Sequence, residues 1–178
     1  IWDHPQLGAY YNAPSGRRGT AFASRRRLAE QVAREVKSPS PTFNCVGPAG
    51  VGTGSLAGMR ALHQLSGFAH IWPFDDPDTV SRPLHLVEIF PSYYFALAGI
   101  KPVNGAHGER ENINQALACF GSDPVSADFQ ANGPDHDEAD ALISAAALRW
   151  FSAQSDFWSV PADARAEGWI FGVKSATP

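Results

Sequence analysis

The chain has few cysteines and no long apolar run, and each absence excludes a class of protein. Its 178 residues include two cysteines, Cys45 and Cys119, which lie far apart and outside any C-x-x-C spacing. A disulfide framework or a zinc site is therefore not expected, and a reducing, cytoplasmic location is predicted. No window of about 18 apolar residues occurs, so no membrane span is predicted. The opening residues, IWDHPQLGAYY, lack a secretory signal pattern.

The composition is that of a globular domain, with 44% hydrophobic residues and a net charge of −4. Positive charge is concentrated in the first part: residues 1–74 hold eight Lys or Arg and three Asp or Glu, whereas residues 75–178 hold six and fifteen. A basic pole for phosphates and an acidic pole for cations would suit a nucleic-acid enzyme.

Alternating helices and strands are predicted, which indicates an α/β domain over residues 1–178. The first twenty residues read as loop. Caps and apolar periodicity predict helices over 24–37, 55–65, 91–98, 109–120 and 136–152, and strands over 68–74, 84–90 and 167–173. Three short strands are few for so many helices, so further strands of the same sheet are expected outside the chain.

The stretch GPDHDEADALISAAALRWF at 133–151 places acidic residues before an apolar helix. Asp135 as N-cap and Glu138 three residues later would form a capping box, and acids in a first turn suit the helix dipole. That interpretation leaves Asp140 unexplained. Asp137 and Asp140 are spaced i,i+3, which places their Cβ atoms about 5–6 Å apart on one face. A shared proton, a basic neighbour or a bound cation such as Mg²⁺ would relieve their repulsion, and the metal ion is the interpretation favoured.

A third acidic position, Glu88, interrupts the apolar face of the strand in SRPLHLVEIFPS. Two interpretations stay open. Glu88 forms a salt bridge to Arg82 or Lys101, or it faces the mouth of the long helix and completes a metal cluster.

The residues D-E-A-D-A-L at 137–142 resemble the D-x-A-D-A-L helix of RuvC-type Holliday-junction resolvases. Together with L-V-E-I-F-P at 86–91 and E-G-W-I-F-G-V at 167–173, the chain resembles the family of domain of unknown function 429. Its members are predicted nucleases of the ribonuclease-H-like superfamily. The resemblance covers about residues 84–173.

This resemblance implies a ribonuclease-H-like three-layer fold, of which the chain would be the C-terminal portion. Glu88 would match the family's strand glutamate, and Asp137 and Asp140 its helix pair; the leading Asp of the first strand is not matched. The implied function is phosphodiester hydrolysis by a two-metal nuclease using Mg²⁺ or Mn²⁺. The missing strands or a second subunit would complete the fold. A catalytically inactive nucleic-acid-binding or scaffold protein, and an ATP-using relative, are the alternatives.

A basic segment within residues 1–40 is predicted to form an arm at the domain edge that contacts DNA or RNA. Cations in a first helical turn oppose the helix dipole, and an external polyanion would offset this; a solvated helix face is the other interpretation. The predicted contacts are Arg25, Arg26, Arg27, Arg34 and Lys37. The nearby loop GPAGVGTGS at 47–55 lacks the lysine of a phosphate loop and is expected to form a turn.

Overall fold

The computed structural model describes residues 24, 26–45, 51–75, 82–101, 106–131, 137–162 and 164–174. It shows a mixed α/β chain. The regular elements are α1 (Leu28–Ala33), α2 (Gly52–Leu65), β1 (Ala69–Ile71), β2 (Leu84–Leu86), α3 (Pro91–Leu97), α4 (Arg110–Cys119), α5 (Asp137–Ser152) and α6 (Ala164–Glu167). Two 3₁₀ turns cover Ala106–Gly108 and Ser155–Trp158.

The described sheet has two parallel strands, β1 and β2, with His70 opposite His85. The backbone of Glu88 continues past β2 and forms a parallel bridge with Ile170. The predicted strand at 167–173 is therefore reduced to one bridge. Gly168 and Gly172 explain this, because their φ angles of 83° and 87° bend the chain on both sides of Ile170.

Helix α1 is shorter than predicted and lies against the core. Ser24 does not cap it directly, because the Ser24 hydroxyl accepts a hydrogen bond from the Arg26 amide before the helix begins. Ala29 and Ala33 are both completely buried in the main core cluster. The predicted apolar stripe is thus correct at these two positions, whereas Val36 is exposed.

Helix α2 begins at Gly52, three residues before the predicted Ser55 cap. A Cβ atom at residue 52 would lie 2.5 Å from the Cys45 sulfur, so this close approach requires glycine. Of the predicted apolar face, Leu56 is buried but Met59 and Leu65 are exposed. The described part of the chain therefore covers only one end of this face.

The core is centred on α5, which packs against α3 and α4. The bounds predicted for these three helices agree with the structure to within about one residue. Tyr94 and Phe95 of α3 are fully buried, and the Tyr94 hydroxyl donates a 2.8 Å hydrogen bond to the Phe171 carbonyl. Residues of α5 buried in this core are Ala139, Ile143, Ala146, Ala147 and Phe151. No helix within the described ranges is long and apolar enough to cross a membrane.

Candidate functional site: Glu88, Arg27 and the acidic start of α5

The acidic start of α5 places its carboxylates at the surface of the domain. Asp137 is exposed and Asp140 is half-buried, while Ala139 between them points into the core. Both aspartates belong to the first turn of the helix, where negative charge interacts favourably with the dipole. Asp135 and His136, the predicted cap and its neighbour, lie outside the described residues.

Glu88 forms a bidentate ion pair with Arg27. The two terminal guanidinium nitrogens donate to the two Glu88 oxygens, Nη1 to Oε2 at 2.8 Å and Nη2 to Oε1 at 2.6 Å. The predicted salt bridge at Glu88 is present, but the predicted partners are wrong, because Arg82 pairs with Asp75 instead. Both oxygens of the strand glutamate are thus engaged by one positively charged group.

Arg27 is buried, with an exposed fraction of 7%, and it joins two carboxylates. Its Nε donates to Glu30 at 2.9 Å while its terminal nitrogens hold Glu88. Burial lowers the pKa of the Arg27 guanidinium, but the hydrogen bonds and charges of Glu88 and Glu30 outweigh burial and place this pKa above its ordinary value. Arg27 is therefore a permanent, internal positive charge.

Glu30 explains why Arg27 takes this position. Its carboxylate is 1% exposed and accepts the backbone amides of Arg27, at 3.2 Å, and of Thr42, at 3.1 Å. The Thr42 hydroxyl donates to the same carboxylate. Glu30 is the third residue of α1, and its carboxylate accepts the Arg27 amide, which has no backbone partner within the helix. A buried carboxylate of this kind requires a buried cation beside it.

A cleft of about 280 Å³ lies beside this charged cluster. Glu88 and Arg27 line it together with Thr42, Phe90 and Ile170. The Glu88 side chain is 43% exposed and so is reached by solvent from the cleft. Arg27 lies against this carboxylate but is shared with Glu30, so the cluster of one cation and two carboxylates keeps a formal net charge of −1.

The geometry does not fit a two-metal centre formed by the three predicted carboxylates. No three His, Cys, Asp or Glu side chains within the described ranges form a group that could hold a metal ion, so Glu88, Asp137 and Asp140 do not form such a group. A bridging pair of cations needs several free carboxylate oxygens. At Glu88 those oxygens are already bonded to Arg27.

The predicted basic arm is divided by the structure. Arg34 is exposed and Lys37 is half-buried, whereas the Arg26 guanidinium donates to the Pro39 carbonyl. Arg27, which was predicted to contact nucleic acid, is buried and held by two carboxylates. Arg25 lies outside the described residues, as do positions 46–50 of the glycine-rich loop.

Comparisons of the chain with protein-family models, with curated proteins and with solved structures find no match. The relationship to the family of domain of unknown function 429 stays a prediction. The role of Arg27 and Glu30 was missed at the sequence level. The one available signal was Glu30 three residues after Arg27, the spacing at which a glutamate returns to the amide at the start of a helix.

Proposed function

We propose that this chain is a catalytically inactive nucleic-acid-binding protein built on a ribonuclease-H-like frame. The observation that carries the proposal is the bidentate engagement of Glu88 by buried Arg27. In the resemblance, Glu88 occupies the position of a metal-binding glutamate. Here both oxygens of the same carboxylate are already engaged by a structural partner.

The ion pair resists replacement by a cation for an energetic reason. A divalent ion at Glu88 would lie next to the Arg27 guanidinium and be repelled by it. Moving Arg27 away would leave Glu30, which is 1% exposed, as an uncompensated buried charge. Breaking a buried pair in this way costs about 3–5 kcal/mol. The Arg27–Glu88 pair therefore favours a structural role for Glu88 over the binding of a catalytic metal ion.

The cations left at the surface support nucleic acid as the partner. Arg34 is exposed and Lys37 is half-exposed near the end of α1, and neither forms an ion pair with another described residue. Neutralising phosphates with such side chains releases counterions and makes binding depend on salt. Two features support the proposed ribonuclease-H-like fold. The chain has a mixed α/β architecture, and α5, which begins with acidic residues, packs on the core.

A salt titration of binding tests the proposal. Fluorescence anisotropy with single- and double-stranded DNA and RNA oligonucleotides gives the slope of log K against log salt. Replacing Arg34 and Lys37 together with alanine should flatten this slope by about two units, because each phosphate contact contributes about 0.9. The matched control replaces two cations of the acidic half, Lys101, which is exposed, and Arg110, which is half-buried. Equal slopes in both double variants would show that Arg34 and Lys37 do not contact phosphates. No binding at low salt would contradict nucleic-acid binding and leave only a scaffold role for the protein.

A metal-dependent nuclease is the second candidate, and the acidic start of α5 is the observation that favours it. Asp137 is exposed and Asp140 half-buried, and Mg²⁺ is commonly held by one or two carboxylates plus substrate phosphates. Titration with Mn²⁺ and a thermal-shift readout separates the candidates. Stabilisation that is lost in Asp140→Asn, together with cleavage of branched or hybrid substrates, would establish the nuclease. Stabilisation without cleavage would support an inactive binding protein.

A further inference from the structure

A second cavity, of about 310 Å³, lies beside the sheet and away from Glu88. Strands β1 and β2 place His70 and His85 opposite each other, with their ring centroids 4.9 Å apart. The indoles of Trp72 and Trp158 form another side of the cavity. Its remaining lining residues are Pro73, Asp75, Val160 and Arg165.

His70 is buried and has no hydrogen-bond partner among the described residues. Its exposed fraction is 1%, and neither ring nitrogen is bonded to any residue in the described part of the chain. A neutral imidazole has one donor and one acceptor to satisfy. Leaving such groups buried and unpaired costs about 1–3 kcal/mol each. The cavity that His70 lines is the place from which a partner would come.

The indole N–H groups of the two tryptophans are not available to a ligand. The Trp72 indole donates to the Trp158 carbonyl at 3.2 Å, and the Trp158 indole donates to the Ser152 carbonyl at 3.0 Å. Their N–H groups are thus already satisfied. Trp72 is only 5% exposed, whereas Trp158 is half-buried, so the ring surface open to a ligand is mainly that of Trp158, which suits a flat, unsaturated molecule.

Of the two charged residues that line the cavity, one already has an ionic partner and the other does not have one among the described residues. The Oδ2 atom of Asp75 accepts the Ile71 amide at 2.9 Å and pairs with Arg82 at 2.7 Å, so the charge of this carboxylate is already compensated. Arg165 is exposed at the rim and forms no ion pair with a described residue. The cavity therefore combines an aromatic wall, unpaired imidazole nitrogens and a rim cation.

We propose that this cavity binds a nucleoside monophosphate. The heteroaromatic base lies against Trp158 and His85 and exchanges hydrogen bonds with His70, while the phosphate contacts Arg165. The volume agrees with a small ligand, because ligand pockets begin at about 300 Å³. This proposal is independent of nucleic-acid binding by the basic segment, since none of its residues belongs to that segment.

Binding of adenosine and uridine 5′-monophosphate tests the proposal directly. Trp72 and Trp158 line the cavity, so intrinsic fluorescence and calorimetry should both report saturable binding. Arg165→Ala should weaken binding of the monophosphates by about tenfold, the effect of losing about 1.4 kcal/mol, and leave adenosine and uridine unchanged. His63→Ala, at an exposed position of α2, is the matched control. No saturable binding of either monophosphate, or equal loss for nucleosides and monophosphates, would overturn the proposal.

His70→Phe separates a ligand role from a purely structural one. Phenylalanine keeps a ring of similar size and removes both unpaired nitrogens. The Tm of the free protein should rise, while binding of both monophosphates should fall at least about tenfold, as expected when a hydrogen bond is lost. A raised Tm with unchanged binding would contradict the proposal. If this variant does not fold, His85→Ala replaces it, because His85 is exposed and should weaken binding without loss of structure.

Discussion

The Arg27 guanidinium and the Glu88 carboxylate meet through two parallel hydrogen bonds, although 61 positions separate them in the chain. The pair ties the residue before α1 to the segment that follows β2. Its geometry is the fork-to-fork arrangement that arginine makes with carboxylates. Because Arg27 also holds Glu30, one cation fixes the charges of two distant segments.

Arg27→Met should destabilise the protein far more than Glu88→Gln. The methionine leaves Glu30 buried without a counter-charge, which costs about 3–5 kcal/mol. Glutamine at the partly exposed position 88 keeps a hydrogen-bond acceptor and should cost about 1 kcal/mol. Urea unfolding measures both free energies. Arg34→Met, at an exposed position, is the control; equal losses in all three variants would show that Arg27 carries no special role.

Gly172→Ala should be strongly destabilising. Its φ angle is 87°, and an added Cβ atom would lie 2.5 Å from the Phe151 ring. We expect a loss of more than about 2 kcal/mol from strain and overpacking together. Gly58→Ala is the matched control, because nothing lies within 4 Å of a Cβ there, inside α2. That substitution should stabilise by about 0.5–1 kcal/mol. If Gly172→Ala left the Tm and the free energy of unfolding in urea unchanged, the backbone conformation described after Ile170 would be contradicted.

Tyr94→Phe should cost about 1–3 kcal/mol, because the Phe171 carbonyl loses a buried donor. The hydroxyl is buried with its ring, and burial raises the pKa of Tyr94, so this donor stays protonated in the folded protein. Tyr93→Phe is the control, since no hydrogen bond joins the Tyr93 hydroxyl to a described residue. Equal unfolding free energies for the two variants would show that the Tyr94 hydrogen bond does not stabilise the packing of α3 against the C-terminal segment.

Asp75→Asn should lower stability near neutral pH, and the loss should vanish in acid. The hydrogen bond from the Ile71 amide, followed by the charge of Arg82, holds the pKa of Asp75 below its ordinary value of 3.8. A carboxyl group whose pKa falls on folding stabilises the protein above the unfolded pKa, and this contribution disappears as pH falls through the folded pKa. Urea unfolding across this range measures the difference. A constant difference at every pH would exclude an electrostatic origin.

Local signals were sufficient to predict the helices of the core. Pro91 at the first position of α3 and Gly99 after its end mark that helix, and the apolar run after Asp140 marks α5. The partner of Glu88 could not be predicted in the same way. Arg27 looked like one member of a basic surface, and only the fold brings it to Glu88. The third strand was predicted wrongly because the glycines at 168 and 172 were counted within it.

The same argument applies to the cavity beside the sheet. Each strand segment carries one histidine, His70 in FAHIWPF and His85 in LHLVEIF. Neither segment indicates that these two residues lie opposite each other in the sheet. Parallel pairing is set by the whole crossover connection, and periodicity within a strand does not encode it. That neither His70 ring nitrogen is bonded to a described residue becomes visible only once the packing around the ring is known.

The burial of α1 also limits how the protein can be shortened. Ala29 and Ala33 have no exposed surface, and Arg27 supplies the counter-charge of Glu88. A truncated protein starting at residue 51 would keep the residues of the cavity beside the sheet, but it would lose one wall of the cleft, open a groove along the core and leave Glu88 without its cation. Residues 26–45 therefore have to be retained in any minimal version intended to fold.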